Sequence, residues 1–360
     1  MRRIGFASLL IFVLAACGQK LAAGESNLNS GPPTLETLGR LSFRGADPSV
    51  IRVGSTYYAV DSYGKNIYVR ASSSVDGLGS AARRVVWTNN LDNIWAPELV
   101  RDPLTGRFYI FFAPGGNDQK RMFVIESASP DGGYGFEKRM VLPDDKWAID
   151  GVSFVYKNQR WFVWSGWVGN SNGEQTLFIS RMNSATTTTG PRYVISQPRE
   201  WWEKAETNPT TVNEGPEPII DPNGQLHIVY SANGSWNTNY CLADLRLRVD
   251  GDPAYVWDWY KSNGCLFGWN RNLMMPGWDS TLYAKGVGHH SFVLLNGDPN
   301  TSPPAGSRFP LMYHGVPKDD FPNPFWEGRY WYSGSFAWWG NTTYKRGTES
   351  NTGWSLKFFE

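Results

Sequence analysis

The sequence predicts an all-β fold, and three observations lead to that expectation. Aromatic residues are abundant, with 18 Trp, 17 Tyr and 19 Phe, and they lie in short apolar or β-branched runs. Gly (38) and Pro (23), together with Asn and Asp, interrupt these runs at short intervals. A strand, tight turn and aromatic strand recur along the chain. Many short strands joined by tight turns are typical of all-β proteins, which often exceed roughly 250 residues as one domain.

The recurring pattern occurs five times along the chain. Each copy has an acidic or proline-containing entry, an apolar strand, a short polar turn and an aromatic strand. The turn segments VGST, PLTG, KNQ and PNG supply Gly or Asn where a hairpin needs a positive φ. The copies start at Asp47 (DPSVIRVGSTYYAVDSY), Ala96 (APELVRDPLTGRFYIFFAPG), Ile149 (IDGVSFVYKNQRWFVWSGW), Glu214 (EGPEPIIDPNGQLHIVYSANG) and Gly288 (GHHSFVLLNGDPN, then FPLMYHGV).

Five such copies predict a five-bladed β-propeller. They start about 50 to 75 residues apart and hold about four strands each, which fits one blade per copy. A β-sandwich with ordinary hairpins is the alternative, and it accounts for the strands but not for their repetition. In a propeller the first strand of each blade lies innermost, so the starts of these strands meet at one end of the channel. We therefore expect one pocket surrounded by Asp47, Trp95, Asp150, Glu214 and His289.

The N-terminal segment predicts export. Arg2 and Arg3 precede the apolar run IGFASLLIFVLAA, which fits a signal peptide over residues 1–23 and is too short for a membrane span. The alternative is a lipoprotein signal, because LAAC ends at Cys17 and would place a lipid on that cysteine. Both interpretations predict an exported protein, either secreted or anchored to the cell surface by the lipid.

This interpretation leads to predictions for the rest of the chain and for two of its cysteines. Residues 24–40 are polar with Gly and Pro, which predicts a linker, and residues 41–360 are then the propeller domain. In an oxidising compartment, Cys241 and Cys265 form an even pair. A disulfide between them is the prediction, and two buried free thiols are the alternative.

The charge balance limits the classes of partner. Lys and Arg total 34 while Asp and Glu total 33, so the chain has no basic excess. Nucleic acid and anionic membrane surfaces select for such an excess and are therefore not expected as partners. Membrane contact is expected only through a lipid on Cys17, and the protein is expected to be a monomer.

Five motifs, one in each copy, carry a family resemblance. GADPSV, NIWAPELV, WAIDGVSF with WFVWSGW, VNEGPEPI with VYSANGSW, and GVGHHSF occur in this order. The set resembles glycoside hydrolase family 43, five-bladed propeller enzymes that include α-L-arabinofuranosidases, arabinanases and β-xylosidases. The resemblance runs from about residue 41 to about residue 316.

The resemblance implies a role for each motif residue. Asp47 matches the general base of the family, and Glu214 matches its general acid. Asp150 matches the aspartate that orients the acid and tunes its pKa. Trp95 matches an aromatic wall of the sugar pocket. Glu217 has no counterpart with a fixed role, so we interpret it as ordinary polarity at a strand entry.

His289 matches a histidine of the channel. In several members of the family this residue helps to hold a calcium ion, directly or through water, so the resemblance implies both substrate contact and a calcium site. A buried histidine bonded to backbone is the alternative. No cofactor is required by the implied chemistry.

Independently of the family resemblance, glycoside hydrolysis requires carboxyl groups, and a sugar pocket benefits from an aromatic ring. One carboxylic acid protonates the leaving oxygen, and one carboxylate activates water on the opposite face of the sugar ring. The acid must keep its proton near neutral pH, and a neighbouring carboxylate raises its pKa in the required direction. An indole ring supplies a large apolar surface for the sugar.

The expected function is removal of α-L-arabinofuranosyl residues from plant polysaccharide, arabinan or arabinoxylan, with inversion at the anomeric carbon. A β-xylosidase or endo-arabinanase on the same site is one alternative. A glycan-binding propeller without activity is another, and a retaining enzyme with Asp47 as nucleophile is a third. Trp201 and Trp202 would border the pocket or belong to the core.

Overall fold

The computed structural model describes residues 39–88, 90–205 and 211–360. The predicted signal peptide, Cys17 and residues 24–38 of the predicted linker lie outside the described residues. Five antiparallel sheets are arranged as the blades of a five-bladed β-propeller. The predicted fold class is therefore confirmed.

The first strand, β1 (Gly39–Arg44), belongs to the last blade. Each of the first three blades is a four-stranded meander in which the strands follow chain order from the inside outward. Blade one contains β2 (Ser49–Val53), β3 (Thr56–Tyr63), β4 (Asn66–Ser72) and β5 (Arg84–Thr88); blade two contains β6 (Trp95–Arg101), β7 (Phe108–Ala113), β8 (Phe123–Ser127) and β9 (Lys138–Arg139); blade three contains β10 (Ala148–Tyr156), β11 (Gln159–Trp167), β12 (Gln175–Ser184) and β13 (Thr187–Ser196).

Blades four and five each carry a fifth strand. In blade four the extra strand β18 pairs with β16, and in blade five β22 pairs with β21. Short 3₁₀ helices cover Asp76–Gly79, Asn117–Gln119, Trp201–Lys204, Val256–Asp258, Arg271–Leu273, Pro299–Thr301 and Phe325–Gly328. Blade four contains β14 (Asn213–Ile220), β15 (Leu226–Ala232), β16 (Cys241–Leu247), β17 (Trp259–Lys261) and β18 (Phe267–Gly268); blade five contains β19 (Ala284–Phe292), β20 (Arg308–Pro317), β21 (Tyr330–Arg346) and β22 (Glu349–Phe359).

Strand β1 completes blade five. Gly39 pairs with Ser333 of β21, and Arg40 pairs with Tyr332. Leu41 is buried in a cluster with residues of blades one and five. The ring is thus closed by pairing the start of the propeller with its end. The predicted linker boundary at residue 40 lies inside β1, because Gly39 and Arg40 already belong to the sheet.

The innermost strands β2, β6, β10, β14 and β19 contact one another in a closed ring. Serine hydroxyls connect several of them. The Leu99 N–H donates to Ser49 Oγ of blade one (2.9 Å), and the Val50 N–H donates to Ser291 Oγ of blade five (2.9 Å). Such bonds satisfy backbone groups that face the next blade rather than a partner strand.

The last hairpin extends beyond blade five and packs on blade four. Arg246 of β16 is fully buried, and its guanidinium donates to Asn351 Oδ1 (2.6 Å) and to the Trp354 carbonyl (2.7 Å). The Tyr344 hydroxyl donates to Asp244 Oδ2 (2.7 Å). These bonds connect β21 and β22 to a blade that is distant in sequence.

The predicted disulfide between Cys241 and Cys265 is present. It joins the first residue of β16 to the segment that precedes β18. Across the ranges that the structure describes, no helix combines the length and apolarity needed to cross a membrane.

Candidate active site

The innermost strand of every blade starts with the same backbone irregularity. One residue has a positive φ, and in blades two to five the strand register shifts at that point. Such bulges re-aim side chains, and here they direct either the positive-φ residue or the residue before it toward the channel. The positive-φ residues are Asp47 (φ 50), Ala96 (φ 40), Asp150 (φ 54), Gly215 (φ 55) and His289 (φ 44).

One cavity of about 820 Å³ is lined by all five residues that the sequence singled out. Their chemical roles stay predictions, but the structure places them together. The volume lies within the range of about 300–1,000 Å³ that is usual for small-molecule sites. Other lining residues include Asn93, Asn117, Trp147, Trp167, Gln175, Ser235, Trp236, Trp326 and Arg329.

Asp47 is surrounded by nitrogen atoms. Its Oδ1 lies 3.1 Å from His289 Nδ1, 3.2 Å from His314 Nδ1 and 4.0 Å from Arg329 Nη1. Burial by itself raises the pKa of Asp47, but the charge of His289, the contacts with both histidines and Arg329 lower it well below the usual range. Asp47 is therefore an ionised carboxylate at neutral pH, as a general base must be.

Glu214 has the opposite tendency. The Tyr240 hydroxyl donates to Glu214 Oε1 (2.9 Å). Burial raises the pKa of Glu214 to about 8, the negative charge of Asp150 adds to this, and His289 and Tyr240 oppose it. Glu214 therefore holds its proton at neutral pH and can donate it.

Asp150 is fixed beside Glu214 by the backbone. The Gly215 N–H donates to Asp150 Oδ2 (3.0 Å). Burial raises the pKa of Asp150 to about 6, with a contribution from Asp47, whereas His289 and the Gly215 N–H oppose the rise. Near neutral pH the ionised form of Asp150 thus adds a like charge next to Glu214.

His289 is the cation of this cluster. Burial opposes its charge, but Asp47, Asp150 and Glu214 raise its pKa to about 10. The His289 N–H of the backbone donates to Ser231 Oγ (2.8 Å), which fixes the strand. The imidazolium compensates the negative charge that the carboxylates bring into the cavity.

The residues around His289 do not fit a calcium ion held directly by its ring. The Nδ1 atom faces Asp47 Oδ1 at 3.1 Å, and a protonated imidazole cannot coordinate a metal. Calcium prefers oxygen ligands in sets of six to eight. Among the residues that are described, no group of three or more His, Cys, Asp or Glu side chains could hold a metal ion.

Tryptophan rings form two walls of the cavity. The Trp95 indole N–H donates to Asn93 Oδ1 (2.9 Å) on one side. Trp147 and Trp167 stack on each other with centroids 4.7 Å apart and an interplanar angle of 6°. The Trp147 N–H donates to the Asn117 carbonyl (2.6 Å). These fixed rings offer flat apolar surfaces for a sugar.

The two tryptophans of the WWEK segment lie elsewhere. Trp202 is buried in the core, while Trp201 is largely exposed. Neither belongs to the residues that line the cavity. Of the two interpretations of this segment, core packing therefore applies to Trp202.

The interpretation of Glu217 as strand-entry polarity is wrong. Glu217 of blade four and Glu98 of blade two form a hydrogen bond with each other. These blades are not neighbours in the ring, so the pair meets across the channel. The Ser49 hydroxyl also donates to Glu98 Oε1 (2.8 Å). Burial raises the pKa of Glu98 to about 7 and that of Glu217 well above its usual range, so the pair shares a proton at neutral pH.

Sequence reasoning missed several partners of the carboxylates. Glu98 could have been found, because WAPE and EGPE place a Pro-Glu dipeptide at equivalent positions of two copies. Tyr240, His314 and Arg329 gave no comparable signal, since they come from later strands or loops of the blades. Burial and the positive charge of Arg329 both lower the pKa of His314, to about 4, so this ring is neutral.

Comparisons with known proteins agree with this geometry. The sequence matches the family described as "Glycosyl hydrolases family 43" over residues 41–300. It is 30% identical to "Alpha-L-arabinofuranosidase 43" of Humicola insolens, covering 84% of this chain and 68% of that protein. It is 28% identical to "Extracellular exo-alpha-(1->5)-L-arabinofuranosidase" of Streptomyces avermitilis, covering 78% of this chain and 62% of that protein. The chain thus spans about two thirds of the length of these curated relatives.

A solved structure is also similar to this chain in fold. The crystal structure of an α-L-arabinofuranosidase from Lactobacillus brevis aligns with a TM-score of 0.67 and 25% sequence identity, covering 82% of this chain and 91% of that chain. The family match extends over well more than half of the chain. The chain therefore belongs to glycosyl hydrolase family 43 and is a glycoside hydrolase.

Proposed function

We propose that the protein is an inverting α-L-arabinofuranosidase that removes terminal arabinofuranosyl residues from plant polysaccharide. The observation that carries this proposal is the opposite pKa shift of two carboxyl groups in one cavity. Asp47 has its pKa well below the usual range, and Glu214 has its pKa raised to about 8. Such separation of two carboxyl pKa values is how one site supplies a base and an acid at the same pH.

The proposed reaction is a single displacement. Glu214 donates its proton to the glycosidic oxygen as the bond from that oxygen to the anomeric carbon breaks. A water molecule attacks the anomeric carbon from the opposite face, and Asp47 accepts a proton from that water. The Tyr240 hydroxyl at 2.9 Å stabilises the carboxylate that Glu214 becomes. The proton taken up by Asp47 returns to Glu214 through solvent before the next turnover.

The substrate class rests on two lines of support. The named relatives are arabinofuranosidases with 27–30% identity to this chain. The cavity combines flat tryptophan walls with three carboxyl groups, a combination that fits an unsubstituted furanose. We propose export on the basis of the leader-like residues 1–23, which would place the protein outside the cell, where cell-wall arabinan or arabinoxylan is accessible.

Glu214→Gln tests the acid assignment. Loss of the donor lowers kcat/KM on arabino-oligosaccharides by about 10²–10⁴-fold, the usual contribution of general acid catalysis. Aryl arabinofuranosides with good leaving groups need little protonation and should retain most of their rate. The control is Glu349→Gln, an exposed glutamate on the last hairpin. Equal losses on both substrate types would contradict the role of Glu214.

Two further measurements test the proposed inversion and the proposed substrate. Proton NMR of the first sugar released should detect the β-anomer from an α-linked substrate, and a retained α-anomer would contradict inversion. A product profile on linear arabinan, branched arabinan and arabinoxylan identifies the substrate. Release of arabinose alone is expected, whereas accumulation of oligosaccharides would identify an endo-acting enzyme.

A further inference from the structure

Lys120 is a fully buried lysine next to the cavity. Its side chain is 0% exposed, and it follows the 3₁₀ helix Asn117–Gln119 between β7 and β8. The ammonium group donates to the backbone carbonyls of Asn93 and Ala113, the latter at 3.2 Å. Burying an ammonium group is costly unless its protons are bonded, so both bonds are needed to keep it charged.

The third direction of the ammonium group points to an aromatic ring. Lys120 Nζ lies 4.1 Å from the centroid of Trp95, within the range of cation–π attraction. Because Lys120 is buried while Trp95 lines the cavity, the ammonium lies on the ring face turned away from the cavity. Asn93 fixes the ring from its edge by accepting the indole N–H at 2.9 Å. Lys120 also bonds the Asn93 carbonyl, so one charge stabilises both the ring and its hydrogen-bond partner.

The same short segment also contacts the tryptophan wall formed by Trp147 and Trp167. The Asn117 carbonyl accepts the Trp147 indole N–H (2.6 Å), and the Lys120 carbonyl accepts the Ala148 N–H (3.3 Å). Ala148 lies two residues before Asp150 in β10. Lys120 is therefore located where both tryptophan walls are attached to one turn.

We propose that Lys120 is a positioning residue whose ammonium group holds Trp95 in the orientation that stacks on the sugar. An apolar side chain of the same length would fill this space without the cost of desolvation, but it would leave two carbonyls and the ring face without a cation. The inference rests on the proposed function, because Trp95 is taken as the sugar wall. Burial lowers the pKa of Lys120 to about 7, while Asp92 opposes the shift.

Lys120→Met tests this role, since it keeps the length of the side chain and removes the charge. KM for an aryl α-L-arabinofuranoside should rise about tenfold, the effect of losing a desolvated cation–π contact, with kcat changed less than about threefold. A merely structural role would lower the amount of active enzyme and leave KM unchanged. Lys120→Arg retains the charge and should restore part of the loss in KM.

Lys285→Met is the matched control. Lys285 is 4% exposed, donates to the Lys318 carbonyl (3.2 Å) and lies 3.8 Å from the centroid of Phe321. Its environment therefore resembles that of Lys120, but Phe321 does not line the cavity. This variant should keep the KM of the wild type.

A double-mutant cycle with Trp95→Ala isolates the coupling. If Lys120 acts through the ring, Lys120→Met should change KM by less than about twofold in the Trp95→Ala background. A full tenfold effect in that background, or a wild-type KM for the single variant, would overturn the proposal. Failure of the wild type to hydrolyse any arabinofuranoside would instead overturn the proposed function.

If Lys120→Met does not fold, the wild type carries the test. KM is then compared between the wild type and Trp95→Ala from about pH 6 to about pH 9, where an ammonium group with a lowered pKa loses its proton. The charged group that acts on Lys120 is Asp92, which favours the protonated form. The KM of Trp95→Ala divided by the KM of the wild type should fall toward unity as the pH rises, because the wild type loses the ammonium charge that holds the ring. A ratio that does not change with pH would contradict the proposal.

Discussion

The three carboxyl groups of the cavity differ in pKa because each has different neighbours. Asp47 faces His289, His314 and Arg329 and is ionised. Glu214 faces a tyrosine hydroxyl and the field of Asp150, and it keeps its proton. The same side-chain chemistry can thus supply the proposed base and the proposed acid, because positive groups cluster at Asp47 and not at Glu214.

Asp150→Asn provides the test of this electrostatic division. Removing a like charge makes ionisation of Glu214 easier, so the pKa of Glu214 falls from about 8. Because the acid is active only when protonated, the alkaline limb of the kcat/KM profile should move to lower pH. The profile is measured on an arabino-oligosaccharide, whose leaving group needs the proton.

The matched control for this profile is Asp145→Asn, which removes a surface carboxylate paired with Arg121. Its alkaline limb should stay at the wild-type position. An alkaline limb that stays fixed in Asp150→Asn would show that Asp150 does not set the pKa of the acid. A limb that moves to higher pH would show that Asp150 stabilises the ionised form instead.

Residues of the site differ in how well the sequence predicts them. Asp47, Asp150 and His289 are the positive-φ residues at the same point of three blades, so a repeat in register locates them. Glu98 and Glu217 meet across the channel, and Tyr240 reaches Glu214 from the start of the third strand. The repeated Pro-Glu dipeptide marks Glu98 and Glu217 as equivalent residues, but their contact and that of Tyr240 depend on the closed ring, so local patterns in the sequence do not contain these contacts.

At the scale of the element, the unit that builds the site is the start of each innermost strand, which has a positive φ in every blade and a bulge in blades two to five. A regular strand would alternate its side chains strictly between its two faces. The bulge instead turns one side chain into the channel while the rest of the strand keeps its pairing. Gly215 takes this conformation in blade four, and its N–H then binds Asp150 of blade three. The local conformation of one strand thereby positions the carboxyl group of another.

Blade four is further constrained by its disulfide. Cys241 directly follows Tyr240, which binds the acid, and Cys265 lies 24 residues further along the chain. Reduction should lower the free energy of unfolding by about 3.5 kcal/mol, the chain-entropy value for a loop of this length. Urea unfolding of the oxidised and reduced protein measures the difference. The Cys241→Ala/Cys265→Ala variant should be insensitive to reductant, and a loss below about 1 kcal/mol in the wild type would mean that packing alone holds this segment.

At the scale of the whole molecule, closure of the ring depends on a contact between residues that are far apart in the sequence. The hairpins of each blade are local, and their turn residues predicted them well. Strand β1 pairs with β21 almost three hundred residues later, as in the bond from the Gly39 N–H to Ser333 Oγ with a separation of 294 residues. No periodic signal precedes such a strand, which is why the predicted domain boundary fell inside it. The long last hairpin was likewise not predicted, because its contacts with Arg246 are tertiary.

Closure of the ring also holds Asp47, the proposed catalytic base. The Gly45 N–H donates to the Arg329 carbonyl (3.1 Å), and the Trp331 indole N–H donates to the Ala46 carbonyl (2.8 Å). Asp47 follows these two residues directly. The segment that carries Asp47 is therefore attached to blade five on one side and continues into blade one on the other.

Leu41→Ala tests whether the ring unfolds as one unit. Leu41 is 6% exposed and belongs, with Trp331, to the buried cluster between blades one and five. Its truncation should lower the free energy of unfolding by about 2–3 kcal/mol, as for other buried leucines. Because each blade lacks its full set of neighbours once the ring opens, we expect far-UV circular dichroism and tryptophan fluorescence to report one shared, shifted transition. Lys65→Ala, on an exposed turn of blade one, should leave the midpoint unchanged.

A small first transition, with the main midpoint at the wild-type value, would contradict unfolding as one unit. Blade five would then open separately, and β1 would be a local attachment rather than the closure that stabilises all five blades.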